Sequence, residues 1–174
     1  MKKLESTWYN MALVLTGIAV VAGAALGYVN SITAPTIEAL KVQQEKEAEQ
    51  QVMNGQEGTA IKITDPKGFG GALTVMVGLA KDGTILGYKV LESSETPGLG
   101  AKAQDWFQKG QKGDIIGKTA GDLTVSKDGG EVDAITASTI TSRAFLRCIN
   151  AAYETLAESN ADGQSGASKQ ANRQ

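Results

Sequence analysis

The stretch Asp133-Ala134-Ile135-Thr136-Ala137-Ser138-Thr139-Ile140-Thr141-Ser142 joins two kinds of structure. Val132 to Ile135 reads as a short strand, and the small hydroxyl-rich residues after it read as a turn. From Ile140 to about Glu158 a helix follows, because Phe145, Ile149, Ala152 and Leu156 recur on one face at helical spacing. The start of a helix presents free backbone N–H groups and the positive end of the helix dipole, which together suit a phosphate. Thr136, Ser138, Thr139, Thr141 and Ser142 add hydroxyls there, and Ala137 and Ser138 are small enough for another molecule to come close. The same residues also make an ordinary Ser/Thr helix cap, so on these grounds alone both readings stand.

Working back from that turn, the chain reads as strands and loops. Leu123 to Ser126 is a second short strand, joined to Val132–Ile135 through the turn Lys127-Asp128-Gly129-Gly130. Ala101 to Lys109 is predicted helical, with Trp106 and Phe107 as core anchors. Before it, Glu95-Thr96-Pro97-Gly98-Leu99-Gly100 is a loop whose Pro-Gly and second glycine free the backbone to face a flat ligand or simply to connect. Ala72–Ala80 and Thr84–Leu91 alternate apolar residues around Lys81-Asp82-Gly83, an antiparallel hairpin. Ala60–Thr64 is a further short strand.

The amino-terminal part is of a different kind. Between Glu5 and Glu38 no residue is charged, and Met11–Val29 is apolar but for Thr16. A helix of that length spans roughly 28 Å, against a hydrocarbon core of about 30 Å. Residues 11–29 are therefore expected to cross a membrane, with 1–10 in the cytoplasm because Lys2 and Lys3 precede the span. A cleaved signal peptide ending near Ala22-Gly23-Ala24 is the competing reading, but the apolar run is long for one. Ala19, Gly23 and Gly27 form a small-residue stripe suited to a neighbouring membrane helix. Thr33 is expected to cap a new helix with Pro35 in its first turn. Residues 30–58 then form a largely solvated helical stalk, 59–158 the exported domain, and 159–174 a disordered tail.

Composition narrows the chemistry. The chain has 174 residues, 17 basic and 19 acidic, and no histidine. That balance argues against nucleic acid as a partner, and the missing imidazole removes His-dependent nucleophile systems and metal sites. Cys148 is the single cysteine, so an internal disulfide, a Cys-rich zinc site and a chain-borne iron–sulfur cluster are excluded; it reads as a small buried residue. Redox chemistry here would rest on a bound cofactor.

Three segments carry a family resemblance. Thr136-Ala137-Ser138-Thr139 resembles the Ser/Thr-Gly-Ala-Thr motif of the FMN-binding domain shared by the G subunit of the Rnf complex and the C subunit of the sodium-pumping NADH:quinone reductase. Glu95-Thr96-Pro97-Gly98-Leu99-Gly100 resembles that family's second signature, a loop beside the flavin, and Lys67-Gly68-Phe69-Gly70-Gly71 a third. The likeness runs from about Met11 to Leu156, and the short chain looks closer to the Rnf subunit. Two positions depart: Ala137 stands where the family has glycine and Ser138 where it has alanine, and an alanine resists a positive φ.

The resemblance implies an α+β fold: a single N-terminal transmembrane helix, then one exported domain of antiparallel strands with flanking helices. It implies FMN joined covalently, as a phosphoester, to Thr139, with Thr136, Ala137 and Ser138 around the attachment point. Glu95, Thr96, Pro97, Gly98, Leu99 and Gly100 would contact the ring, and Asp133 would be read by a flavin transferase. Lys102 and Lys118 are candidate charge partners of the flavin. The chain would then be an electron-carrying subunit, acting as an enzyme only within an ion-translocating ferredoxin:NAD oxidoreductase of the inner membrane. Its partners would be the other membrane subunits, the transferase and lipid. It would lie as a single-pass protein with its FMN domain periplasmic or extracellular. The alternatives are a stand-alone anchored flavoprotein shuttle and a non-redox interaction module.

Overall fold

The computed structural model describes residues 7–170, with side chains through Ala161. Lys2, Lys3 and the last four residues of the expected tail lie outside the described residues. The chain divides into two units, with the boundary between Gln43 and Gln44.

The first unit is helical. Helix α1, Trp8–Met53, begins in it and contains a stretch long and apolar enough to cross a membrane. Its apolar side chains, among them Leu13, Val21 and Leu26, point outward all round, as a helix does when its solvent is hydrocarbon. The expected restart at Thr33 does not occur. Pro35 lies inside the helix, and the Ser31 and Thr33 hydroxyls donate back to the carbonyls of Tyr28 and Val29, 2.8 Å each. A break there would strand backbone groups that the continuous helix keeps paired.

The second unit is an α+β domain. Strands β1 (Thr59–Asp65), β2 (Leu73–Leu79) and β3 (Ile85–Ser93) form one antiparallel sheet in the order β1-β2-β3. The central strand is buried along its whole length. Leu73, Val75, Val77 and Leu79 join the main core with Phe145, Ile149 and Ala152 of helix α3, Thr139–Gln170. On the sheet's other face Met76 packs with Ala48 and Val52 from the last turns of α1. Gly78 and Gly87 are paired across β2 and β3, and a Cβ on either would strike the Val52 backbone. The two glycines thus form a notch that seats the helix end, so residues 44–53 pack more closely than the sparse apolar pattern of a stalk suggests. Asn54 and Gly55, both at positive φ, then end α1.

Two expected elements come out differently. The helix expected over 101–109 is a 3₁₀ turn, Gly100–Lys102, followed by the single turn α2, Ala103–Trp106. A tyrosine ends it. The buried Tyr88 hydroxyl donates to the Ala103 carbonyl (2.8 Å) and accepts from the Phe107 N–H (3.2 Å), groups that would pair with each other in a longer helix. Burial raises the Tyr88 phenol's pKa, which keeps that donor in place. Phe107 instead stacks on Phe145, ring centres 4.3 Å apart.

The expected hairpin around Lys127–Gly130 is also absent. Val125 and Val132 make one parallel bridge, and Ser126–Asp128 is a 3₁₀ turn. The Asn150 side chain occupies the strand's backbone groups: its carbonyl takes the N–H of Gly121 and Leu123, and its amide donates to Leu123 O. Helix α3 passes its expected end at Glu158 and continues to Gln170. Ala157, Glu158 and Ala161 suit a helix already nucleated by its packed first half.

Candidate functional site

The turn into α3 is tightly built. Ala137 has φ 61°, a left-handed conformation that costs an L-residue about 1–2 kcal/mol. The next residue, Ser138, caps the helix: its carbonyl accepts from the Ser142 N–H at 3.0 Å and from the Ser142 hydroxyl at 2.9 Å. That same hydroxyl accepts from the Ile135 N–H, 2.9 Å, stitching the turn's entrance to the helix. Thr139 opens α3, half-buried, with its hydroxyl at the helix start. The N–H groups of this first turn have no partner within the helix.

Thr139 faces a groove of about 330 Å³ lined by Phe69, Glu95, Thr96, Leu99, Gly100 and residues 137–141. All three sequence signatures therefore contribute to one site. Ala137, Ser138, Thr139, Glu95, Thr96, Leu99 and Gly100 line it, whereas Thr136, Pro97, Gly98, Lys102, Lys118 and Asp133 do not. Lys118 faces Glu131 at 3.9 Å. The exposed Asp133 accepts from the Ser126 hydroxyl at 3.3 Å, and its carbonyl accepts from the Trp106 indole at 2.8 Å.

The two glycine loops are locked together by Glu95. Its carboxylate is buried and accepts from the Phe69 N–H, 2.7 Å. A Cβ on Gly68 would meet this carboxylate, and one on Gly70 would meet the Ser94 carbonyl. The Lys67–Gly71 turn needs its glycines for that close approach. The turn is also pinned from below. Asp65 accepts from the Lys67 N–H (2.6 Å) and from Arg147 on α3 (2.6 Å), and Arg147 reaches the Lys67 carbonyl as well. Burial opposes ionisation of Asp65, but the Arg147 hydrogen bond, the Lys67 N–H and both positive charges outweigh it and lower its pKa.

Two features bear on what the groove holds. Thr141 is fully buried, and its hydroxyl is the one buried side-chain polar atom among the described residues without a hydrogen-bond partner. It lines the groove beside Gly100, where a Cβ would meet both this hydroxyl, 2.8 Å away, and the Glu95 carboxylate. Leaving such a group unpaired costs about 1–3 kcal/mol, a cost that a ligand hydrogen bond would remove. Second, Phe69, Leu99 and Ile140 are the only exposed large apolar residues described in the second unit, and all three line this groove. An apolar rim, a few polar groups beneath it and a helix start at one end form a cradle for a flat ring with an anionic tail.

A profile of the FMN-binding domain matches residues 68–154, half of the chain. The chain belongs to the FMN-binding domain family. Among curated relatives, it is 35% identical over 136 residues to the G subunit of the ion-translocating oxidoreductase complex of Vibrio atlanticus, covering 75% of this chain and 65% of the relative. It is 30% identical over 197 residues to the G subunit of the Na(+)-translocating ferredoxin:NAD(+) oxidoreductase complex of Acetobacterium woodii, covering 86% and 93%. With the corresponding protein of Salmonella typhi, the G subunit of an ion-translocating oxidoreductase complex, it shares 41% over 96 residues, 53% of this chain and 47% of that protein. Matches to several relatives thus span only about half to two thirds of their length.

The groove fits the family's ligand in its donors and its shape. A residue that no sequence signature marks also reaches the site: the Lys127 ammonium donates to the Thr139 hydroxyl at 3.2 Å. Phe69 and Ile140 read from sequence as motif and helix residues and not as groove lining, whereas Thr141 is one of the hydroxyls expected at the turn. An aromatic between glycines, Gly68-Phe69-Gly70, was the available signal for Phe69. Nothing in local sequence marks a lysine twelve residues before a threonine as its neighbour.

Proposed function

We propose that this chain is the membrane-anchored, flavin-carrying electron-transfer subunit of an Rnf-type ion-translocating ferredoxin:NAD oxidoreductase, with FMN joined through its phosphate to Thr139. The observation that carries this reading is the convergence of the Thr139 hydroxyl, the helix start, the Glu95–Gly100 loop and the unpaired Thr141 hydroxyl on one groove. The names of the relatives support the complex, and the one helix among the described residues long and apolar enough to cross a membrane supports the anchor.

When bound, FMN supplies one- and two-electron transfer. The chain's residues hold and shield it. Thr139 tethers the phosphate, and the first-turn N–H groups of α3 stabilise its charge. Phe69, Leu99 and Ile140 keep water from the ring, while Thr141 offers it a hydrogen bond from the groove floor. Thr96 and Gly100 form part of the wall beside the ring, Pro97 and Gly98 make the turn between them, and Glu95 ties that wall to the Phe69 turn. Thr136 and Asp133 lie just before the attachment point, with the Asp133 side chain exposed for a flavin transferase to read. Lys102 and Lys118 lie off the groove, and Lys118 faces Glu131. Lys2 and Lys3 keep the amino terminus cytoplasmic, so the domain faces the periplasm or cell exterior, and the other membrane subunits and lipid surround the span.

The test is the intact mass of the denatured protein after co-expression with a flavin transferase. Wild type should gain one FMN less water, and Thr139→Ala should gain nothing. An unmodified wild type, beside a positive control that is modified, overturns covalent attachment. Co-purification with multi-span subunits would separate the complex subunit from a lone shuttle.

A further inference from the structure

We propose that Lys127 is the residue that holds the phosphate of the tethered flavin, and that the Ser126–Asp128 turn serves to present it. The proposal rests on the reading that Thr139 carries the flavin. Its starting observation is the 3.2 Å contact from the Lys127 ammonium to the Thr139 hydroxyl. A phosphate attached at that oxygen places its anionic oxygens two bonds further out, within reach of an ammonium that already touches the attachment atom.

The surroundings leave Lys127 available for this. Arg143, one turn along α3 from Thr139, commits its guanidinium to Asp128 through two 2.7 Å hydrogen bonds. Arg147 is committed to Asp65. The Arg143–Asp128 pair has two effects. It occupies both oxygens of the carboxylate next to Lys127 and offsets its charge, so Asp128 does not draw the ammonium away from Thr139. It also clamps the Ser126–Asp128 turn onto α3 one turn beyond Thr139 by a bidentate contact.

The turn is fixed from its other side too. Ser126 N–H donates to the Val132 carbonyl (2.8 Å), Asp128 N–H to the Val125 carbonyl (2.8 Å), and the Ser126 hydroxyl to Asp133. Gly129, at φ 89°, turns the chain away immediately afterwards. Ser126 and Asp128 thus spend their side chains on holding the turn, and Lys127 points to Thr139. Lys127 is exposed, so its pairing with a phosphate is open to screening by salt.

The experiment is ³¹P NMR of the full-length flavinylated protein in detergent, with intact mass recorded for every sample. The variants are Lys127→Met and Lys127→Arg, with Thr139→Ala as the blank. The expected result is that Lys127→Met shifts the phosphoester resonance and Lys127→Arg moves it back toward wild type. Raising salt from about 0.1 M to about 1 M, where the screening length falls from about 10 Å to about 3 Å, should move the wild-type resonance toward the Lys127→Met position and leave Lys127→Met in place. A purely structural role for Lys127 would not produce that salt dependence. If wild type carries flavin by mass but its resonance ignores both substitution and salt, the Lys127 assignment is wrong and attachment at Thr139 stands. If wild type carries no flavin, the reading beneath it fails and takes this assignment with it.

Discussion

At the scale of single residues, the site is set by one backbone angle and one unpaired hydroxyl. Ala137 occupies the left-handed region at φ 61°, the place where the family motif has glycine. A Cβ there costs about 1–2 kcal/mol in the folded state. Glycine would remove that strain but would release about 0.4–1 kcal/mol of extra freedom in the unfolded chain. Ala137→Gly should therefore stabilise the protein by a net of roughly 0.5–1 kcal/mol. The expected thermal midpoint rises by about 1–4 °C, read by near-ultraviolet circular dichroism in detergent. An unchanged or lower midpoint would mean that the alanine conformation is not strained in solution. The strain persists because the neighbours over-determine the turn: the Ser142 hydroxyl links Ile135 to Ser138 across it.

At the scale of elements, the groove depends on an ion pair that lies outside it. Asp65 ends β1 and joins α3 through Arg147 to the turn that carries Phe69. Asp65→Asn keeps the shape and removes the charge, so it should cost about 1.5–3 kcal/mol, the usual worth of a hydrogen bond to a charged group. The pH dependence has a definite sign. The folded-state pKa of Asp65 is lowered from the ordinary 3.8, so its contribution is fully present above that value. It is lost as pH falls through the lowered folded value. Urea unfolding midpoints of wild type and Asp65→Asn should therefore differ at neutral pH and converge under strong acid. A gap that stays constant down to the lowest accessible pH would place the effect in packing and not in charge. The other long-range device, the Gly78–Gly87 notch under Val52, seats the end of α1 on the sheet by shape, beside the Lys62–Glu45 pair and the Lys89–Gln51 hydrogen bond.

At the scale of the whole molecule, the sequence is legible where the signal is periodic or local. The apolar run of residues 11–29, the three strands of the sheet and the apolar face of α3 all follow from spacing, and the three glycine- and hydroxyl-rich signatures converge on one groove. What escaped is what depends on side chains distant in sequence. Tyr88 cuts short the helix at Trp106, Asn150 takes the backbone groups of an expected strand at Leu123, and Lys127 meets Thr139 across a turn that reads locally as a hairpin. Each is a tertiary contact overriding a local propensity. The same contrast makes the lone cysteine useful. Cys148 lies on α3 in the main core, fully buried, and burial pushes its thiol up to about 12. At neutral pH it is therefore both inaccessible and almost wholly protonated, and the thiolate is the reactive form. Its modification should require opening of the α3–sheet core, so labelling by a thiol reagent under native conditions should be slow. Under fast reclosing its rate should follow the equilibrium for that opening as urea is added. Asp65→Asn, which loosens α3 from β1, should speed labelling by the factor that its loss of stability dictates, about tenfold for each 1.4 kcal/mol. Native labelling as fast as that of a free thiol would show that α3 leaves the sheet locally, and the groove built on its first turn would then be assembled only when a ligand holds it.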